Sequence, residues 1–357
     1  MMEARGMQRL KMLKTLKALQ TLKIVALSVT VCAVQGAYAG DQSDAVDRVI
    51  TQHAMPAVTH FAAQTAALDR AAQSDCSAMA VTPAYHAAFD AWMGLQHLNI
   101  GPIEADARLL TIAFWPDKKG MIPKALAALI ADQDTAITDA QEFAHVSIAA
   151  RGLFALEFML FDPAFRGYAQ GAYSCALVQA IAHDLAQTAS YIADEWTRSG
   201  GFEQALRTPG EGANPRYQSE TESAQALYTM LLTGLENTAV QRLGRPLGSF
   251  EKPRPKRAEA YRSARSARNV MLSLQAARDF TLAMAPNPPV HTVEILDEAI
   301  GKLQVLDDPT FATVVDPMGR LKVEIIAQRI IAATEALAND IGAPLGISAG
   351  FNASDGD

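Results

Sequence analysis

The chain has 357 residues, 50% of them hydrophobic, 7% aromatic and 19% charged, with 22 glycines, 17 prolines and a formal net charge of −7. These proportions exclude a disordered chain, a collagen-like repeat and a disulfide-dense miniprotein, and the lack of a long apolar run beyond the first forty residues excludes a polytopic membrane protein. Alanine and leucine are abundant while Val, Ile and Tyr are spread thin, so an all-α fold is expected.

The first 39 residues read as a cleavable signal peptide. Arg5, Arg9, Lys11, Lys14, Lys17 and Lys23 form a basic lead, residues 24–34 are apolar, and Ala37-Tyr38-Ala39 is a small-x-small cleavage pattern. Cys32 follows Val31 rather than a small residue, which disfavours a lipid anchor. Cleavage before Gly40 places the mature chain in a periplasm, not spanning the membrane. It removes six basic residues and one acidic one, taking the net charge from −7 to −12. A domain that acidic is a poor partner for nucleic acid. The basic stretch 252–268 is expected to be a solvated loop and helix face. Two cysteines remain, Cys76 and Cys175, and in an oxidising compartment they are expected to pair. A loop that long makes the bridge worth about 4 kcal/mol in the chain-entropy model.

Helical patterns follow in chain order. Residues 43–73 read as a long helix bent at Pro56. Thr82-Pro83 reads as an N-cap followed by proline at the first helical position, opening a helix to about Leu98 with Tyr85, Phe89, Trp92 and Gln96 on one face. An irregular connection covers 99–123. Helices are then expected at 123–132, 139–161 and 172–199, with Gly200-Gly201 as the stop. Residues 208–218 form a loop. Ser219 and Glu222 have capping-box spacing and open a helix to about Leu243. A Pro-rich basic linker at 245–256 precedes helices at 258–284, 291–305 and 317–340. About eight long helices suffice for two four-helix bundles.

Chemical signatures are few: the chain has no Gly-rich phosphate loop, no GxSxG elbow and no HExxH. Glu142 and His145 form one ExxH pair, whereas a di-iron bundle needs two. His291 and Glu294 form an HxxE pair in plain capping context. Glu157 is more pointed, because it sits among Leu156, Phe158, Met159 and Leu160, where a carboxylate needs a polar partner. An arginine across the bundle is the ordinary partner to expect. Gly152 weakens the same helix, which suggests close packing or a site.

At this segment the chain resembles the imelysin-like family (the peptidase M75 group, including iron-regulated protein A), whose GxHxxE motif is matched by Gly152-Leu153-Phe154-Ala155-Leu156-Glu157. Three further stretches carry the resemblance: Trp92 to Gln96-His97 followed by Gly101-Pro102-Ile103-Glu104, then Phe114-Trp115-Pro116-Asp117, and the ending Gly350-Phe351-Asn352-Ala353-Ser354-Asp355-Gly356-Asp357. The resemblance implies two similar four-helix bundles, expected here as 40–205 and 206–357. It also implies a ligand site where they meet, built from Trp92, Gln96, Trp115, Gly152, Phe154, Glu157, Phe351 and Asn352. Phe154 stands where the motif has histidine and has no lone pair for a metal, which leaves Glu157 one ligand of the three or four that zinc requires. The resemblance admits iron or zinc; the residues themselves require no cofactor. The reading is therefore a non-catalytic periplasmic binding protein linked to iron or metal uptake, with a small ligand or an envelope iron-uptake component as partner. The alternatives are a metallopeptidase of the M75 type and a docking protein for an envelope partner.

Overall fold

The computed structural model describes residues 41–348 apart from residue 213; the expected signal segment and the tail with Phe351 and Asn352 lie outside the described residues. Nine long helices organise the described residues: α1 (41–74, including Ile50–Ala54 and Met55–Ser74), α2 (Ala78–Leu95), α3 (Met121–Asp132), α4 (Gly152–Phe161), α5 (Tyr173–Thr197), α6 (Glu220–Glu236, running on through Asn237–Leu243 and Gly244–Leu247), α7 (Ser266–Met284), α8 (Val290–Gln304) and α9 (Pro317–Leu337, running on through Ala338–Gly342 and Ala343–Leu345). No β-strand occurs among the described residues beyond an isolated bridge between Ser249 and Lys252.

Helix packing follows the apolar spacing. On α5, Leu177, Val178, Ile181, Leu185, Ile192 and Trp196 recur every three or four residues and are buried. Val270, Leu274, Ala277, Phe280 and Met284 do the same on α7. Each such aliphatic or aromatic side chain taken from water contributes about 1.5–3 kcal/mol. Helices α1, α2, α4 and α5 close one ring of contacts and α6, α7, α8 and α9 close another, giving the two four-helix bundles. The rings meet where α2 lies along α7, with α7 also touching the Ile50–Ala54 turn of α1. Helix α4 differs from the rest: every residue from Gly152 to Leu160 is buried, so it has no solvent face. Cys76 and Cys175 are disulfide-bonded across a separation of 99 residues, tying the start of α2 to the start of α5.

Several expected boundaries move, each for a local reason. Helix α1 is not simply bent at Pro56. A π-helical turn at Ile50–Ala54 precedes it, which accommodates a proline that has no N–H to give. Helix α2 begins a turn before Thr82-Pro83: Ser77 is the cap, its Oγ accepting from Ala80 N at 3.4 Å, and Pro83 lies inside the helix. The 139–161 stretch is broken into the short turns Ala140–Phe143 and Ile148–Ala150 before α4. Glu142 and His145 are therefore not a pair on one helix face; His145 follows the end of its turn and both are exposed.

The largest departure is at 258–265, which is not helical although it is rich in Ala, Arg and Glu. Ala260 and Ala264 have φ of +50° and +55°, and α7 starts only at Ser266. Nor is the basic stretch wholly solvated. Arg265 is 1% exposed, its guanidinium donating to Asp90 Oδ1 at 2.6 Å and to His86 Nδ1 at 3.0 Å. Arg268 joins the same Asp90 carboxylate. These charges hold the segment between the bundles and override its helix propensity.

Candidate functional site

A cleft of about 560 Å³ runs along the junction of the bundles. Trp92 and Gln96 enter it from the end of α2, and Trp115 from the irregular connection that follows. Thr229, Thr233 and Asn237 face them from α6. The Trp92 ring is 1% exposed and packs on Phe61 at 5.2 Å, so its position is fixed from behind. Asn99 also lines the cleft, and its Oδ1 is buried without a hydrogen-bond partner.

Glu104, at the rim of the cleft, accepts from Arg216 Nη2 at 3.1 Å, and the two buried charges of the wall pair with each other. Arg242 Nε donates to Glu259 Oε2 at 2.7 Å and its Nη1 to Thr238 Oγ1 at 3.1 Å. Asn269 Nδ2 donates to the same Glu259 oxygen at 3.0 Å. Arg242 and Glu259 are both buried, so each depends on the other for compensation. Arg242 and Asn237 project from the π-helical turn Asn237–Leu243; another π turn, Ile50–Ala54, carries His53.

His53 and His97 meet with their Nε2 atoms 2.7 Å apart, and His53 stacks on Phe280 at 5.0 Å. Burial pushes the His53 imidazole down to about 4. Burial, then His53 and Arg242, hold His97 well below the ordinary histidine value. Both rings are therefore neutral at pH 7, one donating and the other accepting. His97 reaches this position because Gly234 has no side chain: a Cβ there would stand 2.7 Å from His97 Cβ.

The expected site residues divide into three groups. Trp92, Gln96 and Trp115 are brought together in the cleft. Gly152, Phe154 and Glu157 lie behind it. Gly152 has φ +71°, and a Cβ there would sit 2.2 Å from the Thr111 carbonyl oxygen, so only glycine lets α4 start against that backbone. The Phe154 ring meets Phe89 edge-on at 5.6 Å and lines a smaller neighbouring hollow. Glu157 is 1% exposed and is not paired to an arginine. Its Oε1 accepts from Ser263 N at 3.0 Å and Ser263 Oγ at 2.8 Å. Burial raises its pKa, against the lowering effect of the Ser263 bonds and of Arg262. Phe351 and Asn352 form the third group, outside the described residues.

These residues do not suit a metal at the motif position. Phe154 offers no lone pair, and Glu157 is sealed with one oxygen held twice by Ser263. Among the described residues no group of three or more His, Cys, Asp or Glu side chains is placed to hold a metal ion. No helix among them is long and apolar enough to cross a membrane.

Sequence reasoning missed His53, Arg242 and Glu259. Glu259 stands between Ala258 and Ala260, but Arg242 stands between Gln241 and Leu243, so no local pattern marks the pair.

A family model described as Imelysin (Peptidase_M75) matches residues 54–337. Two solved structures share the fold. An imelysin-like protein from Psychrobacter arcticum 273-4 has a TM-score of 0.71 at 18% identity, covering 88% of this chain and 98% of its own. A protein from Parabacteroides distasonis ATCC 8503, described as a candidate iron-regulated protein A precursor, has a TM-score of 0.68 at 13% identity, covering 85% of this chain and 95% of its own. No curated protein matches the sequence.

Proposed function

The chain belongs to the imelysin family, and from that membership we propose that it is an exported, non-catalytic binding protein that takes a small organic ligand in the inter-bundle cleft and serves iron or metal acquisition. The observation that supports this most is the composition of the cleft. Two tryptophans flank a row of neutral hydrogen-bonding groups (Gln96, Asn99, Asn237), while Arg242 and Glu259 cancel each other's charge. Such a surface suits an uncharged or weakly charged ligand with apolar faces and a few polar atoms. The buried Asn99 Oδ1 is an acceptor for a ligand N–H or O–H.

A catalytic reading is less well supported among the described residues: of the two carboxylates in the cleft lining, Glu259 is committed to Arg242 and Asn269 and Glu104 is paired to Arg216. The iron link comes from the family and from the name of the P. distasonis structure. Export comes from the basic and apolar lead at 1–39. The boundary between units near residues 205 and 206 belongs to the same reading.

The test is native mass spectrometry of residues 40–357 after exposure to small-molecule extracts from iron-starved and iron-replete cells. Gln96→Leu and Trp115→Ala are the informative variants, because Trp92 is a core residue whose truncation costs about 3–5 kcal/mol in its own right. The expected outcome is a bound species enriched in the iron-starved extract and lost in both variants. Equal occupancy in wild type and variants would remove the cleft assignment. Glu259-dependent cleavage of unfolded casein would replace it with an enzyme.

A further inference from the structure

A second hollow, of about 190 Å³, shares Trp115 and Pro116 with the cleft but has the opposite electrostatic character. Four cations line it: Arg245 from the end of α6, Lys256 and Arg257 from the turn Pro255–Arg257, and Arg262. Among the described residues one acid, Asp117, lines it, and Asp117 is already committed. Its Oδ1 accepts from Met121 N at 2.8 Å and its Oδ2 from Ile122 N at 2.9 Å, capping α3. Arg262 is neutralised by Asp162, with Nε to Oδ2 at 2.8 Å.

That leaves Arg245, Lys256 and Arg257. Among the described residues none of the three has a carboxylate partner. The Arg245 guanidinium lies over the Trp115 ring at 5.4 Å, and its Nε is buried with no hydrogen-bond acceptor. Burial and the neighbouring Arg257 both depress its pKa, the signature of like charges gathered without a counter-ion. An unpartnered, buried Nε on the half-buried Arg245 beside two further cations is a recognition geometry for oxyanions, which accept several charge-assisted bonds at once.

We propose that this hollow is a binding site for a small multivalent oxyanion of the phosphate or polycarboxylate class, held by Arg245, Lys256 and Arg257 beside Trp115. The volume equals about six waters at roughly 30 Å³ each, enough for either probe and too small for a nucleotide or a polymer. The site stands apart from the neutral cleft and does not rest on the function proposed for it. Shared Trp115 and Pro116 nonetheless put the two ligands on neighbouring walls.

The experiment is calorimetric titration of residues 40–357 with inorganic phosphate and, separately, with citrate, in metal-free buffer at low ionic strength. Lys256 and Arg257 are exposed, so Lys256→Gln/Arg257→Gln leaves the core intact, as circular dichroism checks. Lys252→Gln removes an exposed charge from the same basic stretch without touching the hollow. Arg245→Met keeps an unbranched side chain on Trp115 while deleting the guanidinium. The expected result is one-to-one binding of one probe, which also names the source. The double variant and Arg245→Met then bind about tenfold or more weakly, a loss of about 1.4 kcal/mol or more, while Lys252→Gln stays close to wild type. Failure of both probes to bind, binding that survives the double variant, or an equal loss in Lys252→Gln would overturn the proposal.

Discussion

Replacing Arg242 by methionine removes the guanidinium from the cleft wall while keeping an unbranched side chain of similar reach. Its partner Glu259, 4% exposed, then keeps only the Asn269 amide. Breaking a buried pair from one side costs roughly 3–5 kcal/mol, because the remaining charge stays desolvated. The retained Asn269 bond puts Arg242→Met at the lower end. Glu259→Leu is the more damaging change, since it strands a cation whose sole remaining side-chain partner is Thr238 Oγ1 and also leaves Asn269 Nδ2 without its acceptor. In the double variant neither charge of this pair is left. Asn269 Nδ2 loses its acceptor, while Thr238 Oγ1 still donates to Gly234 O and Asn269 Oδ1 still accepts from Arg265 Nε, a loss of about 1–3 kcal/mol. The double variant is therefore more stable than Glu259→Leu alone, with a coupling energy above about 2 kcal/mol. Urea unfolding of the four proteins by circular dichroism, at a common slope, gives the cycle. Additive losses, with the double variant the least stable of the four, would refute the claim that the two charges compensate each other in the wall.

Three further outcomes follow from the geometry. Gly152→Ala costs about 2–4 kcal/mol, from the left-handed φ and the collision with two backbone carbonyls of Thr111 and Ile112, read as a fall in the urea midpoint. Glu157 has a folded pKa above its ordinary value of 4.5. Its contribution to stability therefore rises as pH falls through the folded pKa and levels off below the ordinary one, so wild type gains on Glu157→Gln over that window; a constant stability difference from pH 7 to pH 4 would contradict this. Loss of the disulfide in Cys76→Ser/Cys175→Ser costs roughly 2–5 kcal/mol in thermal or urea unfolding while leaving cleft binding unchanged once folded.

The sequence made the helical architecture legible wherever local signals agreed with packing. Helix α5 is bounded by its apolar period and by Gly200-Gly201, and the bridge by two cysteines in a chain whose lead reads as an export signal. Gly152 marks a close approach of backbones: its role is to let α4 begin rather than to weaken it. The start of α2 was misjudged because Thr82-Pro83 mimics a cap; Ser77, next to a disulfide cysteine, does the capping instead. Residues 258–265 were read as helix because their composition favours it. What overrides that composition is a set of partners far away in sequence: Ser263 on Glu157, and Arg265 on Asp90, 175 residues distant. The candidate site was legible for Trp92, Gln96 and Trp115, which the family resemblance marked. It was not legible for His53, Arg242 or Glu259. Nothing local shows that an imidazole will find another 44 residues on, or that an arginine on a helix will turn inward to meet a loop.

The segment 258–269 ties its charges to both sides of the junction: Glu259 to Arg242 on α6, Ser263 to Glu157 on α4, and Arg265 to Asp90 on α2. Each half of the chain thus holds groups whose counterparts belong to the other half. A chain nicked once in the loop at 208–218 would yield two fragments that remain clasped, and separately expressed fragments would complement each other on mixing, because neither can bury its own share of the junction without stranding a charge. What looks like two repeated bundles behaves in this respect as a single molecule assembled from interdependent pieces.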